Sequence, residues 1–276
     1  MLTIPQQVID AIIATKTSPL AKEQAAAIVE AWIARFEEED RKLKIVDVER
    51  PWYEWLNENT LAVGVNDLVL EDGFGEWKTI RPPRKKRNGD YYDGEGPDNW
   101  AKKLAASIQV SIYARKDTCT NFLVRAAVKS SPPDFWQYNI AVDAEQAMWA
   151  RHAFIVQADL IRAVRLHSYP WRFKDGHKIY NRACLCAGEI NVTQTHTGLI
   201  SADDPGAEAV KAAIGDRLIW PGLVVLSASA YETSVQCLEA YRRTLLGAKE
   251  DSEALDIGTA CHAGWAEWYR YLKSGG

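Results

Sequence analysis

This chain has few cysteines and no net positive charge, and each of these absences excludes some classes of function. Five cysteines in 276 residues is an odd number for a long chain, which argues against a disulfide framework and indicates a reducing cytoplasm. The 33 Lys and Arg residues are outnumbered by 37 Asp and Glu residues. Because the chain has no global basic field, any contact with nucleic acid has to come from a local patch.

Long apolar runs, repeats and low-complexity segments are missing as well. No segment approaches the roughly 20 apolar residues that span a bilayer, and the most apolar run, 218–230, is interrupted by Pro221 and Gly222. The first residues lack the basic-then-apolar plan of a signal peptide. With 47% hydrophobic and 25% charged residues, the sequence predicts one large packed domain over 1–276 without membrane association.

Hydrophobic periodicity predicts an α/β fold, with a central mixed β-sheet flanked by helices and additional helices from both termini. The acidic run 37–40 is interpreted as a solvated helix end. Helices are predicted over 5–16, 20–38, 99–115, 143–166, 227–246 and 251–273, and strands from 44 and over 60–70, 75–80, 120–128 and 136–142. The expected core is about 44–166, and residues 226–273 form a further helical segment.

Charged side chains concentrate in the predicted hairpin of 60–70 and 75–80. Side chains alternate along a strand, so Glu76 and Lys78 share a face, and the turn at 71–73 brings Asp67 alongside them. Two carboxylates and an amine on a half-buried face suit a hard divalent cation, with the amine free to steady a water or a developing negative charge. The alternative is an ordinary solvent-facing hairpin.

Gln109 and Tyr113 follow on the predicted helix 99–115. They are four residues apart and therefore lie on one helix face. Without other context, such a pair is typical of packing at the edge of a core.

Together these residues resemble the PD-(D/E)XK nuclease superfamily, and in particular its RecB-like exonuclease branch, which includes phage recombination and CRISPR-associated nucleases. The resemblance lies in Gly64-x-x-Asp67, Glu76-x-Lys78 and Gln109-x-x-x-Tyr113, and covers about 44–165. Glu49, in the strand that leads into the site, resembles a further element of the family and is a possible accessory residue. The resemblance implies a restriction-endonuclease-like core.

The family's N-terminal histidine motif has no counterpart at the start of this chain. Its Ser-x-Ser, Cys and Gly-x-x-x-His elements resemble Ser227, Ser229, Cys237, Gly258 and His262 near the C-terminus. We interpret this order as a circular permutation, which is tolerated when chain termini are close together. It predicts that Met1 lies near Gly276 and that His262 points at Asp67 and Glu76. Chance similarity, or a histidine serving a neighbouring subunit, are the alternatives.

The resemblance implies metal-dependent hydrolysis of DNA phosphodiester bonds, with an exonuclease acting on ends or single strands as the main reading. Asp67, Glu76, the backbone carbonyl of Trp77 and His262 would bind Mg²⁺ or Mn²⁺. Lys78 would orient the water or stabilise the anion, and Gln109 and Tyr113 would position the scissile phosphate. A catalytically silent DNA-binding subunit and a structure-specific endonuclease are the alternatives.

The basic loop, residues 81–98, is a predicted DNA-binding element. It holds three Pro and three Gly, which predict an exposed loop. In and near this loop, the aromatic side chains that could stack on bases are Tyr91, Tyr92 and Trp100. A disordered, solubilising loop is the alternative. The five residues expected to contact phosphates are Arg81, Arg84, Lys85, Lys86 and Arg87.

Many members of this branch carry an iron–sulfur cluster. Cys184, Cys186 and Cys237 stand where some of its ligands would be, but a fourth cysteine is missing and Cys-x-Cys is not the family spacing. We therefore expect no cluster. DNA is the expected partner, in a bacterial or phage-infected cell, together with a second copy of the chain or a recombination or CRISPR partner protein.

Overall fold

The computed structural model describes residues 4–92, 95–166, 224–236 and 253–276. The helices and strands alternate much as the hydrophobic periodicity predicts. The helices are α1 (Gln6–Ala14), α2 (Pro19–Asp40), α3 (Pro97–Ala105), α4 (Ile108–Tyr113), α5 (Ala144–Leu166), α6 (Ala228–Gln236) and α7 (Glu253–Lys273). The strands are β1 (Ile45–Asn57), β2 (Thr60–Leu70), β3 (Gly73–Ile80), β4 (Thr120–Val128), β5 (Asp134–Val142) and β6 (Val224–Leu226).

The strands form a mixed sheet in the order β1-β2-β3-β4-β5, and β6 pairs with β2. The β3–β4 and β2–β6 pairs are parallel, whereas the other neighbouring strands run antiparallel. With helices packed against the sheet, this architecture confirms the predicted α/β fold.

One side of the sheet is covered by α1, α2 and α7. Their largest buried side chains are aromatic: the ring centroids of Trp32 and Trp265 are 4.5 Å apart, and Trp77 of β3 stacks on Tyr269 of α7 at 5.1 Å. Gly264 lets α7 approach α1 and α2 closely, because a Cβ there would lie 3.0 Å from side-chain carbons of Ile12 and Val29. The two ends of the chain thus build one helical layer.

The other side of the sheet carries α4, α5 and α6. Phe154 of α5 stacks on Tyr231 of α6 with ring centroids 4.8 Å apart. Ile108 and Ile112 of α4 belong to the same buried cluster, together with Ala62 of β2. This layer brings α4, which carries Gln109 and Tyr113, onto the face of the central strands.

The single helix predicted over 99–115 is wrong in detail, because the structure has two. The break falls at Ser107, whose backbone is extended (φ −74°, ψ 149°) and whose hydroxyl accepts a hydrogen bond from Val110 N. A serine in this conformation starts a new helix by satisfying a free N–H group in its first turn. After the break, α4 bridges two apolar clusters: Ile108 and Ile112 join the one that holds Ala62, whereas Val110 shares the other with Trp100 and Leu104 of α3.

The interpretation of 37–40 as a solvated helix end is wrong for Asp40. This residue is fully buried, and its carboxylate is ion-paired with the guanidinium of Arg125 on β4. Trp268 Nε1 donates to the same carboxylate at 3.0 Å. Burial raises the pKa of Asp40, and the charge of Arg125 opposes that rise. A buried ion pair of this kind needs both partners.

In the part of the chain that the structure describes, we find no helix with the length and apolarity required to cross a membrane.

Candidate active site

The candidate site lies where β2 and β3 separate. Although these strands have eleven and eight residues, they pair over three positions, from Leu70–Gly73 to Leu68–Gly75. Beyond Leu68–Gly75 the backbone pairing stops, and a side chain makes the contact between the strands instead. Oδ2 of Asp67 accepts a hydrogen bond from Trp77 N at 2.8 Å. The strands then diverge and leave a fork between them.

The short strand β6 enters this fork. β1 pairs along one edge of β2, so the other edge of β2 carries both β3 and β6. β6 runs parallel to β2 at Thr60–Ala62 and leads directly into α6. The helix thereby places Glu232 within electrostatic range of Lys78.

Backbone strain marks the strand opposite Asp67. Glu49 of β1 has φ 49°, and in the described part of the chain no other non-glycine residue has a positive φ. The ladder pairs Val48 with Leu68 and Arg50 with Asn66 but skips the position between them. Strain of this kind often accompanies functional sites. Glu49 itself is ion-paired with Arg270 Nη2 of α7 at 2.6 Å.

Glu76 is the buried centre of the site, with a side chain that is 3% exposed. Its Oε1 lies 2.5 Å from Nζ of Lys78 and accepts a hydrogen bond from Nε2 of Gln109 at 2.6 Å. The expectation that Glu76 and Lys78 share a face of β3 agrees with this contact, whereas the hydrogen bond from Gln109 was not predicted. The two donors hold the carboxylate in a single orientation.

Tyr113 packs against β2 at the position where the sequence has a glycine. A Cβ on Gly64 would lie 2.7 Å from Tyr113 Cε1 and 2.7 Å from Trp52 Nε1. The Tyr113 ring meets that of Trp52 edge to face at 5.4 Å, and its hydroxyl is hydrogen-bonded to the main chain of Val65. Gly64 is therefore required by the packing of Tyr113, which links the two sequence motifs physically.

His262 reaches the fork from α7. Its Nδ1 lies 3.8 Å from Oδ1 of Asp67, and the ring is hydrogen-bonded to the main chain of Trp77. A Cβ on Gly258, one turn earlier, would lie 3.0 Å from Thr79 Oγ1, so the glycine permits the close contact of α7 with β3. The expected proximity of His262 to Asp67 is confirmed. Met1 lies outside the described residues, although Gly276 O accepts a hydrogen bond from Arg41 at the end of α2.

The pKa values of both carboxyl groups, Asp67 and Glu76, are raised. Burial raises the pKa of Asp67 to about 6, against the opposing charge of Lys78. Burial and the charge of Asp67 raise the pKa of Glu76 to about 7. Two neighbouring acids with raised pKa values indicate a site short of positive charge, which one lysine does not fully supply.

The pKa values of the two basic groups, Lys78 and His262, shift in opposite directions. Burial favours a lower pKa for Lys78, but Glu76 and Asp67 outweigh it and raise the pKa, so Lys78 stays an ammonium ion. Burial and the charge of Lys78 lower the pKa of His262 to about 4, so this imidazole is neutral near pH 7. A neutral imidazole has a lone pair for a metal ion or a proton. For Tyr113, burial and the two carboxylates raise the pKa, so the phenol keeps its proton.

The donor set fits a divalent cation in composition. Asp67 and Glu76 supply hard oxygen ligands with excess negative charge, and the Trp77 carbonyl shares the edge of β3 that faces the fork. Across the described ranges, however, no three His, Cys, Asp or Glu side chains already converge tightly enough to hold a metal ion. Lys78 and Gln109 instead occupy one Glu76 oxygen. The carboxylates would have to turn toward an ion.

The basic loop is exposed as predicted, and its residues 85–91 fold back on themselves. Lys85 and Tyr91 form an isolated β-bridge, closed by a turn with Gly89 at φ 89°. Arg84 is ion-paired with Glu95 at 2.6 Å, so this predicted phosphate contact already has a carboxylate partner. The sites of Arg81, Lys85, Lys86 and Arg87 are exposed.

The aromatic side chains near the loop differ in availability for stacking. Trp100 meets Trp136 at 5.9 Å, and Tyr91 meets the same ring at 6.4 Å, so both are engaged at the edge of the core. Tyr92 is 47% exposed, with the guanidinium of Arg84 lying 5.6 Å from its ring centroid. Tyr92 is therefore the most accessible of the three.

Several sequence expectations fall outside the described residues. They concern Cys184, Cys186 and Cys237, the cysteines considered as possible cluster ligands.

Sequence reasoning missed residues that adjoin the site. Glu232 was not singled out because nothing in the sequence shows that β6 enters the fork. Arg50 and Asn66 were missed because they lie beside Glu49 and Asp67 without belonging to a motif. The pairing of Arg50 with Asn66 in the β1–β2 ladder is what places them together.

Comparison of the chain with protein-family models, with curated proteins and with solved structures finds no match.

Proposed function

We propose that this protein is a metal-dependent deoxyribonuclease of the PD-(D/E)XK type, in a circularly permuted arrangement. The observation that carries the proposal is the convergence of Asp67, Glu76 and Lys78, from two strands, with His262 from a distant helix. These four residue types at a fork between strands suit hydrolysis of a phosphodiester better than a structural role. A purely structural site has no need for two carboxylates with raised pKa values.

Asp67, Glu76, the Trp77 carbonyl and His262 are the residues that would hold Mg²⁺ or Mn²⁺. Such an ion, when bound, supplies Lewis-acid activation of the phosphodiester. Asp67 is fixed by Trp77 N and presents its other oxygen, Oδ1, toward His262. His262, being neutral near pH 7, adds no repulsion to a cation.

Lys78 is the cationic residue of the reaction. Its side chain is 31% exposed, which leaves room for contact with a substrate phosphate beside Glu76. There it would stabilise negative charge that develops on the phosphate oxygens. Gln109 fixes the Glu76 carboxylate, and Tyr113 fixes the position of α4 on β2, so we assign both as positioning residues.

The experiment is a cleavage assay with four substrates: linear and covalently closed circular DNA, each single- and double-stranded. Each is incubated with Mg²⁺, Mn²⁺ or EDTA, and Asp67→Asn serves as the inactive control. We expect degradation of linear DNA in the presence of metal, none with EDTA, and none with Asp67→Asn.

The pattern of substrates separates the alternatives. Cleavage of closed circles would replace the exonuclease assignment by an endonuclease. Binding of DNA without cleavage under every metal condition would overturn the enzyme assignment in favour of a silent DNA-binding subunit. Activity that survives in Asp67→Asn would contradict the proposed site.

A further inference from the structure

A cavity of ≈ 370 Å³ lies on the sheet face beside the fork. Its lining residues include aromatic side chains, two arginines and an asparagine. The residues that define it for this argument are Arg50, Trp52, Asn66, Phe74 and Arg115. Its volume falls within the range of small-ligand sites.

The guanidinium groups of the two arginines are not engaged in ion pairs. Neither Arg50 nor Arg115 has an ion pair or a side-chain hydrogen bond to a residue that the structure describes, although Arg50 lies within electrostatic range of Asp47. Other arginines of the described chain are neutralised: Arg125 by Asp40, and Arg151 by Glu54 at 2.7 Å. Two unpaired guanidinium groups on one cavity suit a phosphate group.

Two polar atoms in the wall are buried without a partner. Asn66 is 7% exposed, and its Oδ1 has no hydrogen-bond partner among the described residues. The same holds for Nε1 of Trp52. A buried polar atom left unpaired is costly, and a ligand or a bound water would remove that cost.

The residues that line the cavity neighbour those of the candidate active site. Asn66 directly precedes Asp67, and the ring of Trp52 contacts that of Tyr113 at 5.4 Å. Phe74 lies two positions before Glu76 on β3, on the same face of the sheet and roughly 7 Å away along the strand. A ligand in the cavity would therefore adjoin a phosphate bound at Lys78.

We propose that this cavity is a subsite for one nucleotide of the DNA strand, next to the position of cleavage. The phosphate lies between Arg50 and Arg115, the base lies against Trp52 and Phe74, and Asn66 supplies a polar contact to the nucleotide. This inference rests on the proposed nuclease function for the identity of its ligand. It makes the cavity, together with the basic loop, part of the surface that holds the strand.

Binding of a mononucleotide tests the subsite without cleavage. Deoxyadenosine 5′-monophosphate is titrated calorimetrically into the full chain in EDTA, and deoxyadenosine without phosphate serves as the comparison ligand. The variants are Arg50→Gln/Arg115→Gln and, as a matched control, Arg35→Gln, whose exposed side chain pairs with Glu39 on α2. Both cavity arginines are exposed, so the double variant should fold, which circular dichroism checks.

We expect the wild type and Arg35→Gln to bind the monophosphate equally, and the double variant to bind it at least about tenfold more weakly. Deoxyadenosine should also bind at least about tenfold more weakly than the monophosphate. Equal binding of the monophosphate by wild type and double variant would overturn the subsite, as would a lack of binding by the wild type.

Cleavage kinetics separate this proposal from the proposed function. With a short single-stranded substrate, the double variant should raise KM with little change in kcat, because the subsite binds the strand away from the reacting atoms. If the wild type cleaves nothing but binds the monophosphate through both arginines, the nuclease proposal fails and the subsite stands. If it cleaves DNA but does not bind the monophosphate, the subsite is wrong and the nuclease stands.

Discussion

Asp67 Oδ2 accepts a hydrogen bond from the backbone N–H of Trp77 at 2.8 Å, at the position where the β2–β3 ladder ends. The hydrogen bond of this β3 backbone group is accepted by a side-chain carboxylate and not by the backbone of a neighbouring strand. The contact holds β2 and β3 in their diverging arrangement and at the same time fixes one oxygen of a candidate metal ligand. Site and sheet architecture therefore depend on the same residue.

Lys78→Ala should abolish DNA cleavage while leaving DNA binding largely intact. The ammonium group is the one that would stabilise charge on the phosphate, and removing such a group costs on the order of 10²-fold or more in rate. Cleavage rates are compared with equilibrium DNA binding in EDTA. The matched control is Lys42→Ala, an exposed lysine beyond the end of α2.

Full activity in Lys78→Ala would contradict the role assigned to this lysine. Equal loss of DNA binding and cleavage would show instead that Lys78 acts in binding.

Glu76→Gln should stabilise the metal-free protein at high pH and leave its stability almost unchanged near pH 4. The folded-state pKa of Glu76 is raised to about 7 from a usual value of 4.5. Between these values the native state binds more protons than the unfolded state, so the wild type loses stability as pH rises. The difference amounts to about 3 kcal/mol once both states are ionised.

The measurement is the free energy of urea unfolding in EDTA at pH 4 and at pH 8.5. Glu30→Gln, at an exposed position of α2, is the control and should change stability little at either pH. A Glu76→Gln variant that is less stable than wild type at pH 8.5 would show that the Lys78 and Gln109 contacts outweigh burial of the charge.

Gly64→Ala should destabilise the fold by about 1–3 kcal/mol, as overpacking in a core does. The added Cβ would lie 2.7 Å from Tyr113 Cε1 and 2.8 Å from its hydroxyl, so the tyrosine and α4 would have to move. Because α4 carries Gln109, activity should fall as well. Urea unfolding and cleavage rates are measured for both single variants and for Gly64→Ala/Tyr113→Ala.

The double variant decides the cause. If Tyr113 is the obstacle, the cost of the alanine should shrink in the Tyr113→Ala background. An unchanged cost would assign the strain to Trp52 Nε1, the other atom at 2.7 Å.

Local sequence spacing sufficed to predict the hairpin that carries Asp67, Glu76 and Lys78. The alternation of Glu76 and Lys78 along β3 and the turn at 71–73 place these residues and Asp67 together, and that outcome depends on a few neighbouring residues. The position of His262 was predicted as well, but from resemblance to a motif. Its physical basis, the contact of Gly258 with Thr79, joins residues that are far apart in the chain.

Features that depend on distant partners escaped prediction. In the β2–β3 fork, β6 of residues 224–226 pairs with β2, and no local pattern shows where that strand inserts. The helix break at Ser107 was not predicted, because the apolar stripe continues through this position and favours one helix, whereas a capping serine favours two. The burial of Asp40 was missed because its partner, Arg125, lies 85 residues away, and acidic helix ends are usually solvated.

Asp40→Ala should cost about 3–5 kcal/mol of stability, because it leaves the guanidinium of Arg125 buried without its counterion. Arg125 is 1% exposed, and it would retain Tyr269 OH at 3.1 Å, Gln137 Oε1 at 2.6 Å and the half-exposed carboxylate of Glu39, which lies 3.5 Å away. Those contacts are too few to replace a buried carboxylate. The measurement is urea unfolding at pH 7 in EDTA.

The control is Glu71→Ala, which removes the exposed ion pair with Lys44 and should change stability little. A second variant, Asp40→Leu/Arg125→Met, removes both charges and should recover much of the loss, since an apolar pair can replace a buried ion pair. If Asp40→Ala is as stable as wild type, the Arg125 charge must reach solvent or another carboxylate. The helical layer formed by the two ends of the chain would then not depend on this pair.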